Sequence, residues 1–198
     1  METRTIHGEQ CRTIFFTGKP GSGKGTQAKL LSEKTGWKIV SAGEQLRAIS
    51  AEPTPLGRKI KSEVDVGILV PYWFVTHLYL KALSSLQNNE SVIFDGFNRR
   101  TPEAQVVVES LKWLRRPFTI IHVRISDEEA RTRLGRRKEI EERADDTETT
   151  IEERLKEYHG HTEEAIKLFR DEGALLEING EQTPEKIAED IRIALELA

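Results

Sequence analysis

The segment GKPGSGKGTQ at residues 18–27 follows directly on the apolar run Ile14-Phe15-Phe16. A strand that ends in a glycine-rich loop and restarts as a lysine-bearing helix is a cradle for phosphate. Gly18, Gly21 and Gly23 let the backbone turn with its N–H groups facing inward. Those N–H groups and the helix N-terminus attract phosphate oxygens. Lys24 can reach the outer phosphates, and Thr26 can offer a hydroxyl near a metal ion. The spacing from Gly18 to Lys24 fits the general phosphate-loop pattern with one departure. Gly25 occupies the place of Ser or Thr, and Thr26 follows it.

A second apolar run, Ser91-Val92-Ile93-Phe94, ends in the carboxylate of Asp95. Behind a phosphate loop, an acid at such a strand end helps hold Mg²⁺, often through water. The competing reading is an aspartate that caps a turn.

The elements that must carry these groups alternate. Strands are expected at Thr13–Thr17, Lys38–Val40, Ser91–Phe94, Phe118–Ile125 and Ala174–Ile178. Several are short continuous apolar runs, the mark of strands buried on both faces. Between them, Val75, Leu78, Tyr79, Ala82 and Leu86 make a helical stripe. Thr101-Pro102 reads as an N-cap followed by proline at the first helical position, opening a helix toward Trp113. Ser126 followed by Asp127, Glu128 and Glu129 opens another, with acids in its first turn. Such alternation implies a parallel sheet with right-handed crossovers, covered by helices. Ligands then sit at the C-terminal strand ends, where the phosphate loop lies. Two stretches are not simple crossovers. Residues 41–70 are a long excursion broken by Pro53 and Pro55, and residues 138–146 are a charged interruption between helices. Both read as elements added over the binding face.

The chain has 198 residues, enough for one domain with a sizeable core, and its net charge of −3 points to neither nucleic acid nor membrane. Arginines nevertheless gather in two islands: Arg99, Arg100, Arg115 and Arg116, then Arg124, Arg131, Arg133, Arg136, Arg137 and Arg143. That suggests a small anionic ligand, set against the plainer reading of solvated helix faces paired with Glu. Cys11 is the one cysteine, which excludes an internal disulfide and a thiolate zinc cluster. No zinc is expected, and a reducing, cytoplasmic setting is. No apolar run approaches the roughly 20 residues of a membrane span. The first ten residues are polar and lack the apolar core of a signal peptide, so residues 1–11 are expected to form a mobile extension.

Four segments together resemble the adenylate kinases, or more broadly the nucleoside monophosphate kinases. They are GKPGSGKGTQ with its unusual Gly25-Thr26, SAGEQLR at 41–47, DGFNRR at 95–100 and RADDTETTIEERLKEY at 143–158. They stand in that family's order and span most of residues 13–178. The resemblance implies a phosphate-loop nucleoside triphosphatase-type α/β core with a five-stranded parallel sheet flanked by helices. It implies one kinase domain over 12–198, with a monophosphate-binding insert near 41–70 and a short lid near 137–147. It implies ATP as co-substrate, Mg²⁺ held by Thr26 and Asp95, and small nucleotides as the partners of a monomer.

The resemblance also distributes roles. Gly21, Ser22, Gly23, Lys24, Gly25 and Thr26, with Arg133 and Arg137, would hold ATP. Ala42, Arg47, Val70, Gly96, Arg99 and Glu103 would hold the monophosphate. Lys24, Arg99, Arg136, Arg137, Arg143 and Arg154 would surround the transferring phosphoryl, the register between Arg136 and Arg137 staying open by one residue. Asp145 and Asp146 would anchor the lid. The physics agrees, since phosphoryl transfer needs two anions aligned and their charge neutralised. Guanidinium forks suit phosphate oxygens, and a lid expels competing water.

The chain departs from the family at Ala42 (usually Thr), Ile68 (usually polar), Asn98 (usually Pro) and Glu103 (usually the glutamine that reads adenine). Gln105, two residues on, could replace that glutamine after a small helix shift. Three functions follow. They are ATP:AMP transfer, transfer to another base such as GMP, and a nucleotide-binding switch. A switch needs neither a second phosphate site nor a water-excluding lid.

Overall fold

The apolar runs form one parallel sheet of β1 (Thr13–Gly18), β2 (Lys38–Ser41), β3 (Val92–Asp95), β4 (Phe118–Arg124) and β5 (Leu175–Asn179), ordered β2-β3-β1-β4-β5. The computed structural model describes residues 12–141 and 147–197, without the side chains of 137–141. The expected extension at 1–11, and Arg143, Asp145 and Asp146, lie outside the described residues, as does the Arg137 side chain. The helices are α1 (Lys24–Thr35), α2 (Ala42–Ser50), α3 (Pro55–Val64), α4 (Tyr72–Ser84), α5 (Thr101–Trp113), α6 (Asp127–Glu141), α7 (Glu148–Glu157), α8 (Glu163–Asp171) and α9 (Pro184–Ala194). A π-helical turn, Tyr158–Thr162, joins α7 to α8. Among the described residues no helix is long and apolar enough to cross a membrane.

Strand residues alternate between two cores, which is why the runs are apolar throughout. Phe15, Phe94 and Ile120 face α4, α5 and α8 through Leu78, Tyr79, Leu111 and Phe169. Ile14, Phe16, Ile93 and Ile121 face α1 and α9 through Leu31, Ile187 and Ile191. Phe15 stacks on Phe94 with centroids 4.8 Å apart, and the Tyr79 edge meets Phe94 at 5.3 Å. Fully burying each such ring stabilises by about 2–3 kcal/mol. Burial pushes the Tyr79 hydroxyl up to about 12, and it shares a hydrogen bond with Ser110 at 2.9 Å. A third cluster, Ala130 and Leu134 of α6 with Ile151 and Leu155 of α7, binds these two helices together.

The 41–70 excursion becomes α2 and α3. Pro55 starts α3 rather than only breaking the chain, and Thr54 Oγ1 caps it by accepting from the Gly57 N–H at 2.9 Å. Ser126 caps α6 as expected, accepting from the Glu129 N–H at 3.2 Å. Three local readings need correction. Residues 138–141 continue α6 instead of interrupting it, because Lys, Glu and Ile sustain a helix once α6 is running. Leu86 lies beyond the end of α4, packed against the core from the following turn. At α5 the N-cap is Arg100, so Thr101 is already helical and its buried Oγ1 caps nothing. The capping falls to Glu103, whose carboxylate reaches back to accept the Arg99 N–H at 3.0 Å.

Candidate active site

Register brings Phe16, Ser41 and Asp95 abreast at the C-terminal edge of the sheet, and the phosphate loop leaves from there. The loop needs glycine at two places for steric reasons. A Cβ at Gly18 would lie 2.5 Å from the Val123 carbonyl oxygen. Gly21 has φ +77° and sits so close to α6 that a Cβ would meet the Ala130 oxygen at 3.0 Å. α1 starts at Lys24 with neither a side-chain cap nor an acid in its first turn. Its first N–H groups have no intrahelical acceptor, so that end attracts an anion. Asp95 abuts the same turn, a Cβ at Gly25 lying 3.6 Å from Oδ2, and Oδ1 is buried with no hydrogen-bond partner among the described residues.

One cavity opens over this edge. Gly21, Lys24, Ala42, Arg47, Val70, Gly96, Arg99, Glu103 and Arg154 all line it. Residues far apart in the sequence thus share one wall: α2 supplies Arg47, the β3–α5 loop Arg99, and α7 Arg154. Ser22, Gly23, Gly25, Thr26, Arg133 and Arg136 stand outside that wall. Arg133 pairs with Glu129 at 2.5 Å, and Thr26 and Arg136 are exposed. Arg99 Nε donates to the Gly96 oxygen at 3.0 Å, and Thr162 Oγ1 donates to the Arg99 oxygen at 3.1 Å. Burial pushes the Arg99 guanidinium down, Asp95 and Glu103 push it back up, and the like charge of Arg154 lowers it. An anion in this cavity would relieve that crowding.

The arginine islands divide. Arg99 and Arg154 serve the cavity. Arg116 ties the opposite sheet end, its Nε donating to Thr13 Oγ1 at 2.5 Å and its Nη2 to the Glu90 oxygen. Arg131 pairs with Glu152 at 2.6 Å on the surface. Arg131 fits the plainer reading of a solvated helix face paired with Glu, whereas Arg116, between α5 and β4, is a structural tie that neither reading anticipated.

Sequence reasoning passed over Lys19, although it stands inside the loop motif. Its Nζ pairs with Asp127 at 2.5 Å, and Asp127 meets His159 Nε2 at 3.0 Å. His159 Nδ1 reaches Glu163 at 2.8 Å. Burial lowers His159, but its bonds to Asp127 and Glu163 outweigh that and hold it above the ordinary histidine range. The chain of contacts fixes the phosphate loop against α6 and the π-helical turn. Tyr158 and Thr162 of that turn also line the cavity, and no local pattern announces a π turn.

Glu103 is 4% exposed and Gln105 is exposed, so Gln105 cannot replace it without turning α5 out of its core packing. Burial pushes the Glu103 carboxyl up to about 7, against the lowering effect of the Arg99 N–H and of Arg99 and Arg100. The folded state therefore binds more protons than the unfolded state between about 4.5 and about 7. Stability falls as pH rises through that window, by a total of about 3 kcal/mol. Glu103→Gln keeps an acceptor for the Arg99 N–H and removes the titration. Its melting temperature relative to wild type should rise by roughly 5–10 °C from about pH 5 to about pH 8. A pH-independent difference in calorimetry would contradict the buried carboxyl.

Residues 16–174 match the family model described as adenylate kinase. The chain belongs to the adenylate kinase family. It is 36% identical over 185 residues to an adenylate kinase of Thermus thermophilus, covering 93% of this chain and 97% of that relative. It is 37% identical over 179 residues to an adenylate kinase of Bacteroides fragilis, covering 90% and 95%. With the adenylate kinase of Maricaulis maris it shares 37% identity over 186 residues, covering 92% and 98%. Membership makes the chain a nucleotide kinase, and the sheet, the phosphate loop and the arginine-lined cavity are the parts such an enzyme requires.

Proposed function

We propose that the protein moves the γ-phosphoryl of ATP reversibly to AMP, giving two ADP. The observation that carries this reading is one cavity lined both by Lys24, at the N-terminus of α1, and by Arg47, Arg99 and Arg154 from three other parts of the fold. In this reading Lys24 and the helix N-terminus take the donor, Arg47 and Arg99 take the acceptor, and Arg154 attends the transferring phosphoryl. A triphosphate on the loop and a monophosphate on Arg47 and Arg99 would then point their reacting oxygens at each other. Holding them so removes most of the entropic barrier. Lys24, Arg99 and Arg154 neutralise charge that spreads over the phosphoryl oxygens during transfer. Val70 and Ala42, both buried, give the acceptor nucleoside an apolar wall.

Mg²⁺ fits the donor set, because Asp95 Oδ1 is an enclosed hard oxygen with no hydrogen-bond partner among the described residues, beside the first turn of α1. Asp95 and Thr26 would hold it, and when bound it offsets phosphate charge. The exposure of Thr26 favours Asp95 as the firmer of the two holders. Arg133, Arg136 and Arg137, on a helix whose base packs on the phosphate loop, remain assigned with Arg143 to the donor side by resemblance. A monomer in the cytoplasm completes the reading.

ATP with AMP, GMP, CMP, UMP and dAMP in turn tests it. The expected result is diphosphate formation that needs an acceptor and is fastest with AMP. ATP hydrolysis at the same rate without any acceptor would overturn it in favour of a switch.

A further inference from the structure

The phosphate loop closes on the carbonyl of Lys19. That oxygen accepts from the Ser22 N–H at 3.1 Å, which makes a turn of Lys19-Pro20-Gly21-Ser22, and Lys24 Nζ donates to it at 3.3 Å. Pro20 and Gly21, with its φ of +77°, suit the two corners of a type II turn. The side chain of Lys19 enters a second set of contacts. Its Nζ pairs with Asp127 Oδ1 at 2.5 Å, in the first turn of α6, and lies 5.9 Å from the centroid of the Tyr158 ring. Asp127 Oδ2 accepts from His159 Nε2 at 3.0 Å, and Glu163 Oε1 accepts from His159 Nδ1 at 2.8 Å. One line of contacts therefore runs from the loop through α6 and the π-helical turn to α8.

Both ring nitrogens of His159 face carboxylates, which only accept. A neutral imidazole has one N–H and leaves a lone pair against the other carboxylate. The imidazolium has two N–H groups and serves both. The geometry thus selects the charged ring. The same bonds hold Asp127 below the ordinary carboxylate range, that of Lys19 first and that of His159 after it.

We propose that His159 is a positioning residue for phosphoryl transfer: its imidazolium holds the Asp127 carboxylate on Lys19, and Lys19 so anchored sets the loop carbonyl on which Lys24 rests. This rests on the reading of the loop as the donor site of a phosphotransferase. Ion pairs this open to water add little stability. What they fix is position, and a displacement of about 1 Å at a reacting group can cost about 10²-fold in rate.

The charged groups along this line are Lys19 in the loop, Asp127 and Arg131 on α6, Glu152 on α7, Glu163 on α8 and Glu181 after β5. Arg131 and Glu152 pair with each other. The Tyr158 ring meets His159 edge to face, and its hydroxyl, pushed up by burial, bonds His122, which burial pushes down. His161 of the same turn faces Glu157 instead, at 3.9 Å. Carboxylates, ammonium and guanidinium groups ordinarily keep their charge between about pH 6.5 and about pH 9, whereas an imidazolium loses its proton.

The test is the single-turnover rate of transfer from ATP to AMP, both saturating, in wild type, His159→Gln, Lys19→Met and the double variant, at about pH 6.5 and about pH 9. At the lower pH each single substitution should slow transfer about fivefold or more, while affinity for a non-hydrolysable ATP analogue stays within a few-fold. The double variant should match Lys19→Met within about twofold, because the histidine acts through the lysine. At the higher pH the ratio of wild type to His159→Gln should shrink toward one, since a neutral ring holds Asp127 no better than an amide does. The ratio cancels titrations elsewhere in the protein and in the nucleotides. Hydrogen exchange of the Ser22 amide, which bonds the Lys19 oxygen, reads the hold without turnover and should quicken at least about threefold in both single variants. Single variants as fast as wild type, losses that multiply in the double variant, a ratio that ignores pH, or unchanged Ser22 exchange would overturn the proposal. No transfer to any acceptor, with Ser22 exchange still responding, would instead overturn the reading of the reaction and support the role of His159.

Discussion

Lys24→Ala should lower kcat by about 10²–10³-fold in a protein that melts near the wild-type temperature. Lys24 opens α1 at the mouth of the cavity, and its Nζ donates to the Lys19 oxygen at 3.3 Å, so its ammonium lies over the loop rather than in solvent. Alanine keeps the helix, and Lys24 is no part of the buried core, so folding should survive. The loss should fall mainly on kcat. A charge that meets the phosphoryl group most strongly in the transition state contributes little to ground-state binding. Steady-state kinetics with saturating ATP and AMP measures it. Near-normal turnover would remove Lys24 and the loop from the reaction.

Arg99→Ala should cut kcat/KM for AMP by about 10²-fold or more and leave the affinity for an ATP analogue within a few-fold. The guanidinium is held in the cavity wall by its bond to Gly96, while the backbone of the same residue is held by Glu103 and Thr162. Removing the side chain therefore leaves the loop anchored and takes away only the charge. Titration calorimetry with a non-hydrolysable ATP analogue, run beside the AMP kinetics, separates the two ends of the cavity. If ATP binding were the main loss, the placement of donor and acceptor would have to be exchanged.

Much of the scaffold was legible because it obeys short-range rules. Strands buried on both faces must be continuously apolar, and Ile14–Phe16, Val92–Phe94 and Ile120–Val123 are. Glycines at 18 and 21 had to be glycine because backbone and α6 crowd them, and that need is written directly in the residue type. Boundaries were less legible. Thr101-Pro102 has the composition of a cap, yet the cap contact is made by Glu103, since the loop before α5 turns its own N–H groups toward that carboxyl.

The sequence by itself determined the phosphate loop, the parallel α/β plan and the stock of cationic side chains. Each of these follows from local backbone geometry and from which side chains can carry charge. Tertiary structure alone decided which arginines serve the cavity. Arg99 and Arg154 meet across 55 residues of chain only because α7 returns over the β3–α5 loop, whereas Arg116 is spent on Thr13 and Glu90 at the far end of the sheet. It also decided that Lys19, Asp127 and His159 form one line of contacts, and that Glu103 is enclosed while Gln105 faces water. A charge's effect depends on its distance from other charges and on how much water surrounds it. Neither is a property of the chain until it has folded.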